Sequence, residues 1–165
     1  MRGCSSPAKR KDAMTQHPHP MERRLVLRLL EYWRGLSDID RLPSGSTIDA
    51  KEIPDMWPYC VMLDVAGKES DPEISFVGTT LAERAGADLE GRRLSQAPAD
   101  TLVSKGLSYY GQVLVKKVPI TFGGEFVDRR GTKILYRSII LPLAEDGATI
   151  NRLFGAANGR DVVED

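Results

Sequence analysis

The stretch GTTLAERAGADLEGRRL, from Gly78 to Leu94, decides the fold. Glycine interrupts it too often, at Gly78, Gly86 and Gly91, for the stretch to be one helix. Each short piece nevertheless carries an apolar residue that can pack against a core. Pieces shorter than roughly 12 residues are not stable as isolated helices in water, so tertiary contacts must hold them. The stretch therefore predicts short helices that cover one side of a sheet and enclose a small space.

Strand patterns flank this stretch on both sides. Five segments are apolar and bounded by turn residues, namely residues 59–65, 73–78, 118–128, 132–143 and 149–159. The dipeptide Asp146–Gly147 between the last two is a hairpin signal. A third helical region, residues 99–116, precedes the last three strands. Because sequential hairpins make antiparallel pairs, we predict an α+β fold: a five-stranded antiparallel sheet covered on one face by short helices.

An amphipathic helix is predicted before the sheet, over residues 21–36, MERRLVLRLLEYWRGL. Its apolar residues recur at helical spacing, while most of its charged residues fall elsewhere. Two interpretations stay open, because the apolar face either packs on its own domain or meets a second copy of the chain. For the second case the candidate dimer-interface residues are Leu25, Leu29, Leu30 and Trp33.

Residues 1–20 are rich in Ser, Pro, Lys and Arg and offer little to bury, so we predict a disordered leader. His17 and His19 lie there, and two ligands on a flexible segment fix no metal geometry, so no metal site is expected. The main domain is predicted over residues 50–160. We find no internal repeat and no second domain.

Composition argues against a nucleic-acid-binding, membrane-spanning or secreted protein. Lys plus Arg is 23 and Asp plus Glu is 23, so the formal net charge is zero, and the basic excess typical of nucleic-acid binders is missing. No segment reaches the roughly 20 apolar residues of a membrane-spanning helix, and the N-terminus lacks a secretory signal. The expected location is the cytoplasm. Cys60 lies in an apolar segment and is predicted to be a buried thiol.

The order of two strands, short helices and three strands resembles the PAS family of sensory domains. The resemblance covers residues 59–159 and is carried by the glycine and leucine spacing of residues 78–94 and by LPLAEDG, residues 141–147. EYWRGL and EIPDMWPY, residues 31–36 and 52–59, are most similar to a stand-alone alphaproteobacterial PAS subfamily. The resemblance implies a bacterial signal-transduction protein with a ligand space between the helices and the sheet.

The cofactors of PAS domains can be compared with this chain. A photoactive flavin requires a cysteine in the helical region, and residues 79–117 contain none. Haem usually requires a histidine there, and both histidines lie in the leader. Neither cofactor is expected, which leaves a non-covalent small metabolite or a lipid-like ligand. The candidate ligand-binding residues are Tyr109, Tyr110, Phe122, Tyr136 and Arg137. Since Tyr136 and Arg137 are neighbours in a strand, at most one of them faces the space.

No enzyme motif is present, and the part of the chain expected to fold has no histidine. This rules out Ser–His–Asp and Cys–His catalysis, so we expect no catalytic residues and no enzyme.

Two hypotheses about function follow from the sequence. The first is a sensor that binds a small molecule and signals to a partner protein in trans, with a homodimer formed through the N-terminal helix. The alternative is an adaptor with a filled core that acts only by dimerisation and protein–protein interaction. Because no output domain follows in this sequence, both hypotheses place the output on a partner protein.

Overall fold

The computed structural model describes residues 20–163. The helices are α1 Pro20–Arg34, α2 Thr79–Ala85, α3 Leu102–Gly106 and α4 Tyr110–Lys116. The strands are β1 Cys60–Asp64, β2 Glu73–Val77, β3 Ile120–Val127, β4 Lys133–Leu143 and β5 Arg152–Asp161. The predicted disordered leader, residues 1–20, lies outside the described residues except for Pro20 at the start of α1.

All five strands form one antiparallel sheet in the spatial order β2-β1-β5-β4-β3, which confirms the predicted fold class. The last strand in sequence, β5, lies at the centre and pairs with both β1 and β4. It closes the sheet between the first hairpin and the second, so the two halves of the chain form a single domain. Helices α2, α3 and α4 occupy the connection between the two hairpins.

One face of the sheet, called the inner face, carries the short helices. Alternate strand residues point to it and are buried against residues of α2, α3 and α4. The strand residues are Val61, Leu63, Ile74, Ile134, Tyr136, Ile140, Leu153 and Ala157. The helical residues of this core are Leu81, Ala85, Leu102, Val103 and Val113. Tertiary packing of this kind stabilises helices that are too short to persist alone.

The opposite face, called the outer face, is covered by α1. Leu25, Val26 and Leu29 of α1 are buried against the strand residues that alternate with those of the inner face. The strand residues are Cys60, Met62, Ile139, Leu141, Leu143, Phe154 and Ala156. Because both faces of the sheet are covered there, residues 138–143 of β4 and 153–157 of β5 are buried in succession, whereas the first half of β4 alternates between buried and partly buried residues.

Polar contacts fix α1 on the outer face. The indole Nε1 of Trp33 donates a hydrogen bond to the main-chain oxygen of Pro142, 2.9 Å away. Arg28 forms an ion pair with Asp55. Glu22, in the first turn of α1, is 2% exposed, and its Oε1 lies 3.7 Å from Nε of Arg160 on β5. A buried carboxylate costs free energy unless a cation compensates it, so this pair sets the position of α1 along the sheet.

The third helical region differs from the prediction of one segment over residues 99–116, because it is broken into α3 and α4 between Gly106 and Tyr110. The reason is contact with the sheet. A Cβ on Gly106 would lie 3.0 Å from the Cβ of Ala157, so the helix backbone touches the strand directly. The break also lets both Leu107 and Tyr109 turn inward, with 1% and 6% of their surface exposed.

Candidate functional site

An aromatic cluster lies on the inner face of β3 and β4 beside α4. The ring centroids of Tyr109 and Phe122 are 5.1 Å apart, and those of Phe122 and Tyr136 are 6.4 Å apart. Phe126 meets Tyr136 edge-on at 5.7 Å. The strand register explains the arrangement, since alternate residues of β3 face the same side as Tyr136. Phe122 is 46% exposed, so the cluster reaches the surface there.

Tyr109 connects this cluster to the buried polar group of the inner face. Its hydroxyl lies 3.0 Å from the hydroxyl of Ser138, which is fully buried, and 3.3 Å from the main-chain oxygen of Ile120. Burial raises the pKa of Tyr109 above its usual value because the phenolate would lose its hydration. Burial likewise raises the pKa of Tyr136. Both phenols are therefore neutral at physiological pH.

Tyr110 and Arg137 do not join the cluster. The hydroxyl of Tyr110 donates to the main-chain oxygen of Ser70, 2.8 Å away, on the side near β2. Arg137 lies on the outer face, where its Nε is buried and has no hydrogen-bond partner within residues 20–163. The structure thus brings together three of the five candidate ligand-binding residues, namely Tyr109, Phe122 and Tyr136. Neighbouring strand positions place Tyr136 and Arg137 on opposite faces, as predicted.

The space between α3 and the sheet is filled by side chains. A Cβ on Gly155 would lie 2.8 Å from Cδ2 of Leu107, and one on Gly159 would lie 3.0 Å from Cδ2 of Leu102. Both leucines are 1% exposed. Glycine at these two positions of β5 therefore lets the helical cover pack directly on the sheet at both points.

An open cleft of about 430 Å³ lies at the side of the helical cover. It is bounded by the end of α2, the start of α3, the β3–β4 turn and the end of β5. Its apolar lining residues are Leu102, Phe126 and Ile134, and its charged ones are Glu83, Arg84, Asp100, Asp128, Arg129, Arg130 and Asp161. Phe126 is shared between the cleft and the aromatic cluster, so the two features form one continuous region.

The arginines of the cleft are held by defined contacts. Arg84 Nη1 donates to the main-chain oxygen of Gly159 at 3.0 Å, and Arg129 Nη2 donates to that of Ala85 at 3.3 Å. Arg130 binds Asp128 at 2.8 Å, and this hydrogen bond lowers the pKa of the Asp128 carboxyl. Groups of both signs therefore surround an apolar floor.

The cleft is not indicated by the sequence. Its walls come from four segments that are distant in the chain, and nothing in the sequence indicates that they meet. One available signal was the spacing of Phe122, Gly124 and Phe126, which places two aromatic rings on the same face of one strand.

The candidate dimer-interface residues of α1 contact their own chain. Leu25 and Leu29 are 6% and 0% exposed, and Leu30 and Trp33 are partly buried against the same outer-face core. The exposed apolar residue of α1 is Leu27, at 55%. Leu25 and Leu29 become available to a partner only if α1 leaves the sheet, whereas Leu30 and Trp33 keep part of their surface exposed while α1 is docked.

Metal-ligating clusters, membrane-spanning helices and free thiols are the other features that could define a site. No group of three or more potential metal-ligating side chains occurs within residues 20–163. In the same range, no helix combines the length and apolar character needed to cross a membrane. Cys60 lies on the outer face beneath α1, and its thiol donates to the main-chain oxygen of Met56. The prediction of a buried thiol at this position is confirmed.

Comparison with known proteins gives a family match. The model of a family described as PAS domain matches residues 21–158. No curated protein matches the chain. Among solved structures, the LOV domain of a blue-light activated histidine kinase from Erythrobacter litoralis is 10% identical, with a TM-score of 0.46 over 63% of this chain and 97% of that one.

Two further solved structures are similar at the same level. The PAS domain of an HTR-like protein from Haloarcula marismortui is 18% identical, with a TM-score of 0.38 over 68% of this chain and 91% of that one. A VqmA dimer from Vibrio cholerae is 12% identical, with a TM-score of 0.49 over 70% of this chain and 52% of that one. At these identities the three structures carry no information about a ligand of this chain.

Proposed function

This chain belongs to the PAS domain family, and we propose that it is a regulatory sensor that binds a small molecule and signals to a partner protein in trans. The observation that carries the proposal is the cleft of about 430 Å³ whose wall, Phe126, packs edge-on against Tyr136. A ligand in the cleft contacts the ring of Phe126, which packs against the buried ring of Tyr136, so binding can change the packing of the inner-face core.

The lining indicates the kind of ligand. Small-molecule sites usually have mostly apolar walls with a few polar groups, whereas seven of the lining residues of this cleft are charged and three are apolar. Since arginines and carboxylates dominate the lining, the best match is a small metabolite with at least one ionised group and a smaller apolar part. Arg129, which is exposed and holds the end of α2, is the residue best placed to exchange its main-chain contact for a ligand carboxylate.

A physical route leads from the cleft to the outer face. Phe126 and Tyr136 lie on paired strands, and β4, which carries Tyr136, packs α1 on its other side. A shift of β4 on ligand binding changes the packing contacts that hold α1 on the outer face. In this proposal α1 is the element that reports to the partner, and its buried apolar residues become a dimer or partner surface when it is released.

A thermal-shift screen with native mass spectrometry tests the proposal. The wild-type chain is screened against small organic acids and amino acids, and Arg129→Ala is compared with Arg24→Ala, an exposed arginine on α1. We expect a ligand that raises the melting temperature of the wild type and of Arg24→Ala, with at least tenfold weaker binding to Arg129→Ala. Equal binding to all three proteins would contradict the placement of the site.

A second candidate function is an adaptor that binds no small molecule and acts by protein–protein interaction. The direct packing of Leu107 on Gly155 favours it, because a ligand cannot lie between the helical cover and β5 at this contact. The two candidates differ in what co-purifies with the protein. A small molecule bound in the cleft supports the sensor, whereas a partner protein bound with the cleft empty supports the adaptor.

We further propose that the domain is not catalytic. Residues 20–163 contain no histidine, so the common base of nucleophilic catalysis is missing from them. The Cys60 thiol points into the outer-face core, so it is not placed to form a covalent bond with a flavin on the inner face. Assignment to an alphaproteobacterial subfamily and to the bacterial cytoplasm stays a prediction from the sequence.

A further inference from the structure

The two edges of the sheet differ in how they are protected. The free edge of β2 is closed by the segment after α2, since Ile74 exchanges main-chain hydrogen bonds of 2.7 Å with Gly91 and Arg92. The edge of β3 is uncovered in the part of the chain that the structure describes. Within residues 20–163, no hydrogen bond joins a main-chain group of residues 121–127 to any segment other than β4.

Strand β3 also lacks the usual devices against edge pairing. Natural edge strands are commonly short, or carry proline, lysine or a bulge. β3 has eight residues, ITFGGEFV, with neither proline nor lysine, and Glu125 is its one charged residue. Its register with β4 runs without a shift from Ile120 to Val127, whereas the β1–β2 pairing is irregular. This edge is therefore long, regular and open to strand addition.

The direction of its main-chain groups follows from the neighbouring hydrogen bonds. Asp128 N donates to Thr132 O at 2.9 Å, so residue 128 is in a hydrogen-bonded pair with β4. Lys133 O instead accepts from Val162, on the β5 side. Since main-chain groups alternate in direction along an antiparallel strand, odd-numbered residues of β3 point away from β4. These residues are Thr121, Gly123, Glu125 and Val127.

We propose that the β3 edge is a homodimer surface, on which a second copy of this chain pairs antiparallel through its own β3. One register lets all four outward-facing residues pair: Thr121 opposite Val127 of the second copy and Gly123 opposite Glu125 of the second copy. The two-fold axis then passes between the two Gly124 residues. The inference goes beyond the proposed function, because it stands whether or not a small molecule binds.

Side chains agree with this register. On the inner face Phe122, which is 46% exposed, lies opposite Phe126 of the second copy, and aromatic cross-strand pairs stabilise a sheet. Glu125 faces a glycine, so no like charges meet. The formal net charge of the chain is zero, so two copies do not repel each other strongly. A second copy is therefore a better match for this edge than a charged peptide.

Sedimentation of the full chain over a range of concentrations tests the pairing. Glu125→Pro removes an outward N–H without touching the bonds to β4, and Glu125→Thr is the matched control because it also loses the ion pair with Lys133. We expect a concentration-dependent dimer for the wild type. The dissociation constant of the dimer should rise at least tenfold for Glu125→Pro and stay within threefold of the wild-type value for Glu125→Thr. A monomer at every concentration, or a dimer indifferent to Glu125→Pro, would overturn the proposal.

Cysteine cross-linking tests the register and remains informative if Glu125→Pro is poorly folded. In a Cys4→Ser background, Gly124→Cys places two thiols at the axis, where opposed Cα atoms are about 4.5 Å apart, within disulfide range. Val127→Cys is the control, since the two copies of residue 127 are roughly 20 Å apart. Efficient oxidation to a dimer is expected for Gly124→Cys alone. Equal cross-linking of both variants, or of neither, would contradict the register.

Discussion

Single glycines determine where this chain changes direction. Gly78 is the position that tolerates a side chain least, because main-chain atoms of another segment lie against it. It begins the connection from β2 to α2, and its N–H donates to the main-chain oxygen of Cys60 at 2.7 Å. A Cβ there would lie 2.4 Å from the main-chain oxygen of Pro58. The sequence placed Gly78 at the end of the second predicted strand, just before the first short helix. It did not reveal the contact with residue 58, which is a property of the folded chain alone.

Alanine at Gly78 is expected to destabilise the domain by more than about 2 kcal/mol, because backbone atoms must move to admit the methyl group. Gly111 is the matched control, since no atom lies within 4 Å of its added Cβ and it sits in α4. Gly111→Ala should raise stability by roughly 0.5 kcal/mol. Urea unfolding of both variants measures this, and similar effects at the two positions would refute the close-approach argument.

Cys60 predicts a pH dependence of stability. Its burial raises the pKa of the thiol above the value in an unfolded chain, about 8.5. The folded state keeps the proton while the unfolded state loses it, so this contribution is complete below about pH 8.5 and declines as the pH rises further. Between pH 8 and 9.5 the wild type should lose about 1 kcal/mol more stability than Cys60→Ala.

Urea unfolding under reducing conditions, kept below pH 10 so that the tyrosines stay protonated, gives this comparison. If the two proteins show parallel pH profiles, the Cys60 thiol is not responsible for the alkaline loss of stability.

At the scale of elements, hydrophobic periodicity located α1 and most strands but could not assign their partners. The apolar stripe of α1 was visible in the sequence, whereas the surface that it covers depends on β4 and β5, over 100 residues further along the chain. The same limit explains the single helix predicted for residues 99–116. Periodicity continues across Leu107, and only contact with the sheet breaks the helix there.

Two leucines of α1 distinguish its buried and exposed sides. Leu29 is 0% exposed and Leu27 is 55% exposed. Leu29→Ala should destabilise the domain by about 3 kcal/mol through lost burial and a cavity, while Leu27→Ala should change stability by less than about 0.5 kcal/mol. Equilibrium unfolding in urea measures both, and equal effects would mean that α1 is not docked on the outer face.

At the scale of the whole molecule, alternation and turn signals predicted a five-stranded antiparallel sheet and the order of its elements, and the resemblance to PAS domains added the family. The lateral cleft and the open β3 edge were not predictable from the sequence. The cleft forms only because four distant segments meet at one place, and the open edge depends on how the strands pair in the folded sheet. Of the candidate residues chosen by type, Tyr109, Phe122 and Tyr136 lie together and Tyr110 and Arg137 lie elsewhere, while a role in ligand binding stays a prediction for all five.

The most direct test of the sensor proposal is to map a ligand onto the domain by NMR. The ligand is any small molecule that co-purifies with the chain or is found by the thermal-shift screen, titrated into isotopically labelled protein. We predict that the largest chemical-shift changes fall on Phe126, Arg129 and Thr101 around the cleft, with smaller ones along β4. Changes confined to α1 or the outer face, or no ligand from either source, would contradict the account.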